Sequence, residues 1–281
     1  MMKHPRGELA AHGLAASKSR GQNFLADPAV AREIVRRAEL EPGAPVFEIG
    51  PGLGALTRVL LEAGHAVTAV EIDRGLVRYL QDQVQPAFPG RLNLIQGDVL
   101  KTDLAALAQD QGRPLDVIGN LPYQISTPLL FRFLETREAV AGAVLTFQKE
   151  LAERLAAGPG SKAYGRLSVM FGYYARIERL LDLGPEAFHP RPKVGSTVLR
   201  VRFVADPRPP LRSAAMFSTV VAAGFSRRRK TLKNALRSSF PESQIDAALA
   251  AAGLDPGRRA ETLAVEEFVL LTESWPAAIS T

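Results

Sequence analysis

Asn120-Leu121-Pro122-Tyr123 carries the sharpest chemistry in the chain. It follows an apolar run, residues 115–118, that reads as a short buried strand. Pro122 biases Leu121 away from helical angles, so the Leu121 carbonyl is expected in an extended segment. Two acceptors then stand side by side, the Asn120 side-chain oxygen and that carbonyl, able to grip the two hydrogens of an amino group. Tyr123 adds a face on which a flat base can stack. The same four residues also suit a strand-to-loop turn with a buried tyrosine, so what precedes them decides between the two.

Residues 45–49 read as a first strand, followed directly by Gly50-Pro51-Gly52-Leu53-Gly54 and an amphipathic helix over 53–62. Glycines at that turn let the backbone bend sharply and approach a ligand closely. The next strand, 66–72, brings Glu71-Ile72-Asp73. Glu71 stands roughly twenty residues beyond Gly52, the spacing at which nucleoside sites place an acid for ribose hydroxyls. A helix over 75–84 leads to a strand over 92–96 and then Gly97-Asp98, where Asp98 either accepts from an adenine amine or caps the following segment. Four successive strand ends thus hold Gly50 and Gly52, Glu71, Asp98 and Asn120. Ligands of open α/β sheets bind outside the carboxyl ends of the strands, and the strand–helix alternation puts these positions on one rim.

The remaining pattern supplies the scaffold. Residues 17–25 are basic and then polar, ahead of a helix capped by Asp27-Pro28 with Val30, Ile34, Val35 and Ala38 on one face. Beyond Tyr123, a helix over 127–135, a strand over 140–147 and a helix over 149–156 are expected, then a polar loop, 158–166, that is either a lid or a long connection. A helix over 167–175 and strands over 177–183 and 197–204 complete the domain. Between these strands lies the stiff segment Phe188-His189-Pro190-Arg191-Pro192-Lys193-Val194, in which Phe188 either presents a ring to a base or anchors the core. Residues 205–210 form the clearest linker, and helices are expected over 212–223, 229–236, 244–252 and 265–273. Residues 227–237 hold six bases and no acid. Such a cluster, with Arg227, Arg228, Arg229, Lys230 and Lys233 at its centre, can neutralise nucleic-acid phosphates or form a solvated face.

Composition sets the bounds. The 281 residues suffice for a large α/β domain and a smaller one, and 46% hydrophobic content supports a sizeable core. A net charge of +6 permits a nucleic-acid partner. Absence of cysteine excludes disulfides and thiolate chemistry, and the four histidines show no metal-ligand spacing. No apolar run has the length of a membrane span, and the amino terminus lacks a secretory hydrophobic segment. A cytoplasmic location is the expectation that follows, and residues 1–17 are expected to form a loose, flexible tail.

Gly21-Gln22-Asn23-Phe24-Leu25, Glu48-Ile49-Gly50-Pro51-Gly52-Leu53-Gly54, Glu71-Ile72-Asp73, Asn120-Leu121-Pro122-Tyr123, the Phe188–Val194 segment and Arg228-Arg229-Lys230-Thr231-Leu232 occur in this order in one family. The chain resembles the ribosomal RNA adenine dimethyltransferases, in particular the bacterial small-subunit type associated with kasugamycin resistance. Gln148-Lys149-Glu150 and Ala163–Ser168 extend the likeness, and Arg20 departs from it, since an aromatic usually precedes the Gly-Gln-Asn-Phe run. The resemblance implies a Rossmann-like α/β methyltransferase domain over 18–204 and an all-α ribosome-binding domain over 205–281. It implies S-adenosylmethionine as cofactor, with S-adenosylhomocysteine as product, held by Gln22, Asn23, Leu25, Gly50, Gly52, Glu71, Ile72, Asp98, Val99 and Asn120. It implies catalysis at Asn120, Leu121, Pro122, Tyr123 and Phe188, no metal, and a monomer acting on 16S ribosomal RNA in the immature 30S subunit. Two other readings stand beside it: a 23S ribosomal RNA adenine methyltransferase of the macrolide-resistance type, and a non-catalytic RNA-binding assembly factor.

Overall fold

A computed structural model of the chain describes residues 4–207, 209–227 and 229–276. In chain order its first part runs α1 (Pro5–Ala11), β1 (Phe24–Leu25), α2 (Pro28–Ala38), β2 (Val46–Ile49), α3 (Ala55–Glu62), β3 (Val67–Glu71), α4 (Arg74–Gln83), β4 (Leu92–Gln96), α5 (Leu104–Gln111), β5 (Leu115–Asn120), α6 (Tyr123–Glu135) and β6 (Val140–Gln148). There follow α7 (Lys149–Leu155), α8 (Arg166–Tyr174), β7 (Ala175–Leu183), β8 (Phe188–His189), β9 (Ser196–Phe203), α9 (Ala214–Gly224), α10 (Leu232–Leu236), α11 (Glu242–Ala251) and α12 (Val265–Glu273).

Among the described residues, seven strands form one sheet in the order β4-β3-β2-β5-β6-β9-β7. The neighbours from β4 to β6 pair in parallel, and β9 enters antiparallel to β6. This is the Rossmann-like α/β fold expected from the sequence. Parallel strands are covered on both faces, which is why β2, Val46-Phe47-Glu48-Ile49, is buried along its whole length. The chain leaves β2 toward β3 on one side and leaves β5 toward β6 on the other. That reversal opens a crevice at the carboxyl ends of β2 and β5, where Gly50 and Asn120 stand.

Local chemistry builds the crevice walls. Gly50, Gly52 and Gly54 all have positive φ (65°, 58° and 78°), so the turn from β2 into α3 passes through backbone angles that side chains resist. Asp73 caps α4, its Oδ1 accepting from the Gly75 amide at 2.8 Å. Where β5 pairs with β2, a Cβ added at Gly119 would lie 2.7 Å from the Ile49 carbonyl oxygen. Gly119→Ala is therefore expected to lower unfolding free energy by about 1–3 kcal/mol, the usual cost of overpacking. A urea titration checks this as a lower midpoint at unchanged slope.

The chain divides into two compact units, residues 1–152 with 178–203, and residues 153–177 with 204–281. The second unit takes in 153–177 as well as the carboxyl-terminal helices, a grouping that a cut at residue 204 leaves out. Its interior is aromatic: Phe225 stacks on Phe268 with centroids 5.6 Å apart, and Phe217 lies 5.0 Å from Tyr173.

Several expectations need correction. Residues 5–17 are not simply a loose tail, because α1 begins at Pro5, is capped by His4, and buries Leu9. One apolar anchor in seven residues leaves no periodic signal. The helix expected over 127–135 starts at Tyr123, with Pro128 inside it, so the turn after Asn120 runs straight into a helix. Arg229 and Lys230 precede α10 rather than lying within a helix, because Thr231 caps it, its hydroxyl accepting from the Asn234 amide. No helix of the described residues is long and apolar enough to cross a membrane.

Candidate active site

The crevice is a cleft of about 730 Å³ within the first unit. Gln22, Asn23, Leu25, Gly50, Gly52, Glu71, Ile72, Asp98, Val99 and Asn120, the ten positions singled out for a cofactor, all line it. Topology explains the convergence: β2, β3, β4 and β5 deliver their carboxyl ends to one rim, and β1 brings the 22–25 segment across it.

Glu71 is almost fully buried at the end of β3. Its Oε2 accepts from the Gly52 amide at 3.2 Å and its Oε1 from the Asp73 amide at 2.9 Å, which fixes the carboxyl against the glycine turn. Burial pushes this carboxyl above its ordinary value, against the pull of those two amides. Ile72 is 55% exposed at the cleft, an unusual setting for a large apolar side chain and a suitable cover for a planar ring. Asp98 Oδ1 accepts from the Leu100 amide at 2.9 Å, so it turns the chain after β4 while lining the cleft.

Asn120 is half-buried, and its Nδ2 donates to the Asn23 carbonyl at 2.7 Å. A carbonyl accepts and cannot donate, so this bond commits the amide nitrogen and leaves Oδ1 as the available acceptor. Pro122 lines the cleft beside it. Leu121 points its side chain into the core, 3% exposed. Tyr123 is half-buried and its hydroxyl shares a 2.8 Å hydrogen bond with Ser196 Oγ, which holds the ring in place. Burial raises the Tyr123 phenol above its ordinary value.

Leu121 and Tyr123 do not themselves line the cleft, and two more of the expected site residues are engaged elsewhere. Phe188 is 4% exposed and packs in a cluster with Phe24, Leu25 and Ala187, so it presents no ring face to a base in this structure. The cause is the two-stranded sheet in which Leu25 pairs with Phe188 and Phe24 with His189. Lys233 is not free for phosphates: its amino group pairs with Asp246 at 2.7 Å and Glu242 at 3.0 Å on α11. Arg227, Arg229 and Lys230 are exposed, and Arg228 lies outside the described residues.

Sequence reading missed Glu48. It lies 1% exposed in β2, lines the cleft, and its Oε2 has no hydrogen-bond partner. Burial pushes its carboxyl up to about 8, and the neighbouring Glu71 adds to the rise. The signal was present, since a lone acid inside an apolar parallel strand is either paired or functional. Among the described residues, no group of three or more His, Asp or Glu side chains could hold a metal ion.

Comparison with known proteins matches the family model "Ribosomal RNA adenine dimethylase" over residues 13–275. "Ribosomal RNA small subunit methyltransferase A" of Magnetococcus marinus is 46% identical over 266 residues, covering 95% of this chain and 94% of the relative. The protein of the same description from Myxococcus xanthus is 46% identical over 274 residues, covering 96% and 94%. Among solved structures, a dimethyladenosine transferase from Plasmodium falciparum has a TM-score of 0.74 at 25% identity, covering 88% of this chain and 95% of its own. The 23S rRNA methyltransferase ErmE has a TM-score of 0.68 at 27% identity, covering 90% and 99%.

Proposed function

The chain belongs to the ribosomal RNA adenine dimethylase family, and from that premise we propose that it dimethylates N6 of two adjacent adenosines in the 3′-terminal hairpin of 16S ribosomal RNA. The cofactor would be S-adenosylmethionine and the setting the maturing 30S subunit. Identity of 46% over 95% of the chain to a small-subunit methyltransferase supports this substrate over the large-subunit one.

The donor set fits the cofactor. Glu71 would take the ribose hydroxyls, Asp98 the adenine amine, Ile72 and Val99 the faces of the adenine ring, and the Gly50–Gly52 turn would lie against the methionine portion. When bound, the cofactor supplies an electrophilic methyl group.

The chain's own residues then have to make a poor nucleophile react. The lone pair of an adenine amine is delocalised into the ring. Asn120 Oδ1 and the Leu121 carbonyl accept the two amine hydrogens, draw them out of the ring plane and localise the lone pair on nitrogen. Holding the base in line accounts for much of the rate through positioning. The target adenosine is splayed from its helix, as base-modifying enzymes require, with Tyr123 as its stacking face. The methylated amine is acidic and sheds its proton afterwards, so no strong general base is assigned. Exposed Arg227, Arg229 and Lys230, with Arg228, would contact RNA phosphates. The protein is read as a cytoplasmic monomer.

The observation that carries this reading is the free acceptor face of Asn120 on a cleft lined by all ten cofactor positions. Transfer of radiolabel from S-adenosylmethionine to purified immature small and large subunits tests it. Label on the small subunit alone is the expected result. Label on the large subunit supports the 23S reading, and particle binding without label supports the assembly-factor reading.

A further inference from the structure

Arg20 is remote from Asn120 in the chain, yet a continuous polar path joins them. Its guanidinium pairs with Asp73 Oδ2. Gln22 Nε2 reaches the same oxygen at 3.4 Å, while Gln22 Oε1 accepts from the Ser17 amide at 2.8 Å. The Asn23 side chain donates back to the Gly21 carbonyl at 3.1 Å, tightening the turn. The Asn23 carbonyl, at the end of this turn, is the group that accepts from Asn120 Nδ2.

Asp73 divides its two oxygens between tasks. Oδ1 caps α4 through Gly75 and Leu76, and Oδ2 receives the 20–22 segment. A rigid helix end therefore serves as the post to which the segment is tied. The Asn23 carbonyl has to sit at a fixed point, because the direction of the Asn120 amide follows from it: if the carbonyl moves away, nothing distinguishes the oxygen-to-cleft orientation from its flip. An amide turned the other way offers donors, where an amine needs acceptors.

We propose that Arg20 is a positioning residue for methyl transfer: its ion pair with Asp73 pins the Gly21–Asn23 turn so that the Asn23 carbonyl holds the Asn120 amide with its oxygen toward the cleft. The inference rests on the functional reading given above. It assigns to Arg20, at a position where the family usually has an aromatic, a role in this chain's catalytic geometry. The pair is partly exposed, with Arg20 at 47% and Asp73 at 19%. Its loss should accordingly change the population of the productive orientation by a modest factor, about fivefold or less.

The test compares wild type, Arg20→Ala, Arg20→Lys, Asp73→Asn and the Arg20→Ala/Asp73→Asn double variant, at saturating cofactor and small-subunit particles. Asparagine caps helices about as well as aspartate, so Asp73→Asn removes the ion pair and keeps the cap. Expected is an about fivefold fall in kcat for Arg20→Ala, an unchanged thermal midpoint, partial rescue by lysine, and a double variant no worse than the worse single one. Wild-type kcat in Arg20→Ala overturns the inference. So does a loss that follows a lowered thermal midpoint, or losses that multiply in the double variant. Wild-type protein that transfers no label instead overturns the functional reading, and this inference with it.

Discussion

Replacing Asn120 by alanine is expected to cut methyl transfer about a thousandfold while cofactor affinity falls by no more than about tenfold. The asymmetry follows from what the side chain touches. One N–H of its amide is held by the Asn23 carbonyl at 2.7 Å, and the acceptor it offers to a substrate is the oxygen. An acceptor aimed at the amine acts chiefly as the nitrogen loses its planarity, and interactions of that kind affect turnover more than binding. Toward the cofactor, by contrast, Asn120 is one of the ten positions expected to hold it, and deleting one contact costs about 1 kcal/mol. Calorimetric titration with S-adenosylmethionine, paired with single-turnover label transfer, separates the two effects. Near wild-type turnover would remove Asn120 from the role assigned to it. Leu121 acts through its backbone in this scheme, and its buried side chain belongs to the core.

The second large effect concerns stability. Burial holds the Glu48 carboxyl up to about 8 against an ordinary value of 4.5, so the folded protein keeps a proton that the unfolded chain gives up across this window. The contribution is fully present below about 4.5 and is lost as pH rises toward 8. A tenfold difference in proton affinity between the two states corresponds to about 1.4 kcal/mol, which puts the total in the range of a few kcal/mol. Glu48→Gln replaces the protonated acid with a neutral group of the same shape. The variant should therefore gain stability relative to wild type between pH 5 and pH 8. Carboxyls held low by arginine, such as Glu33 and Glu267, destabilise in the opposite direction at acid pH and cancel in the comparison. Denaturant titrations of both proteins across this range give the answer, and parallel profiles would show that Glu48 is ionised in the fold.

The centre of the sheet was legible because β2 and β3 are short apolar runs ending at a glycine or an acid, the pattern that burial on both faces imposes. Once the alternation of strands and helices was clear, topology placed Gly50, Glu71, Asp98 and Asn120 on one rim without further detail. What escaped depends on partners distant in sequence. The burial of Phe188 follows from the pairing of two short strands far apart in the chain, Phe24 with His189 and Leu25 with Phe188, too short to leave a periodic signal. Lys233 belongs to a basic run in sequence, but α11 turns Glu242 and Asp246 toward it and neutralises it. The orientation of Asn120 depends on the Asn23 carbonyl, a backbone atom that no side-chain pattern reports. Glu48 was visible as an anomaly in an apolar strand, although the burial that leaves its Oε2 without a hydrogen-bond partner emerges only from the packing of β2.

Mass analysis of the 3′-terminal fragment of 16S ribosomal RNA, from cells with and without this protein, tests the central claim most directly. Two adjacent adenosines, each carrying two added methyl groups only when the protein is present, is the expected result. Identical fragments from both sources would contradict the account.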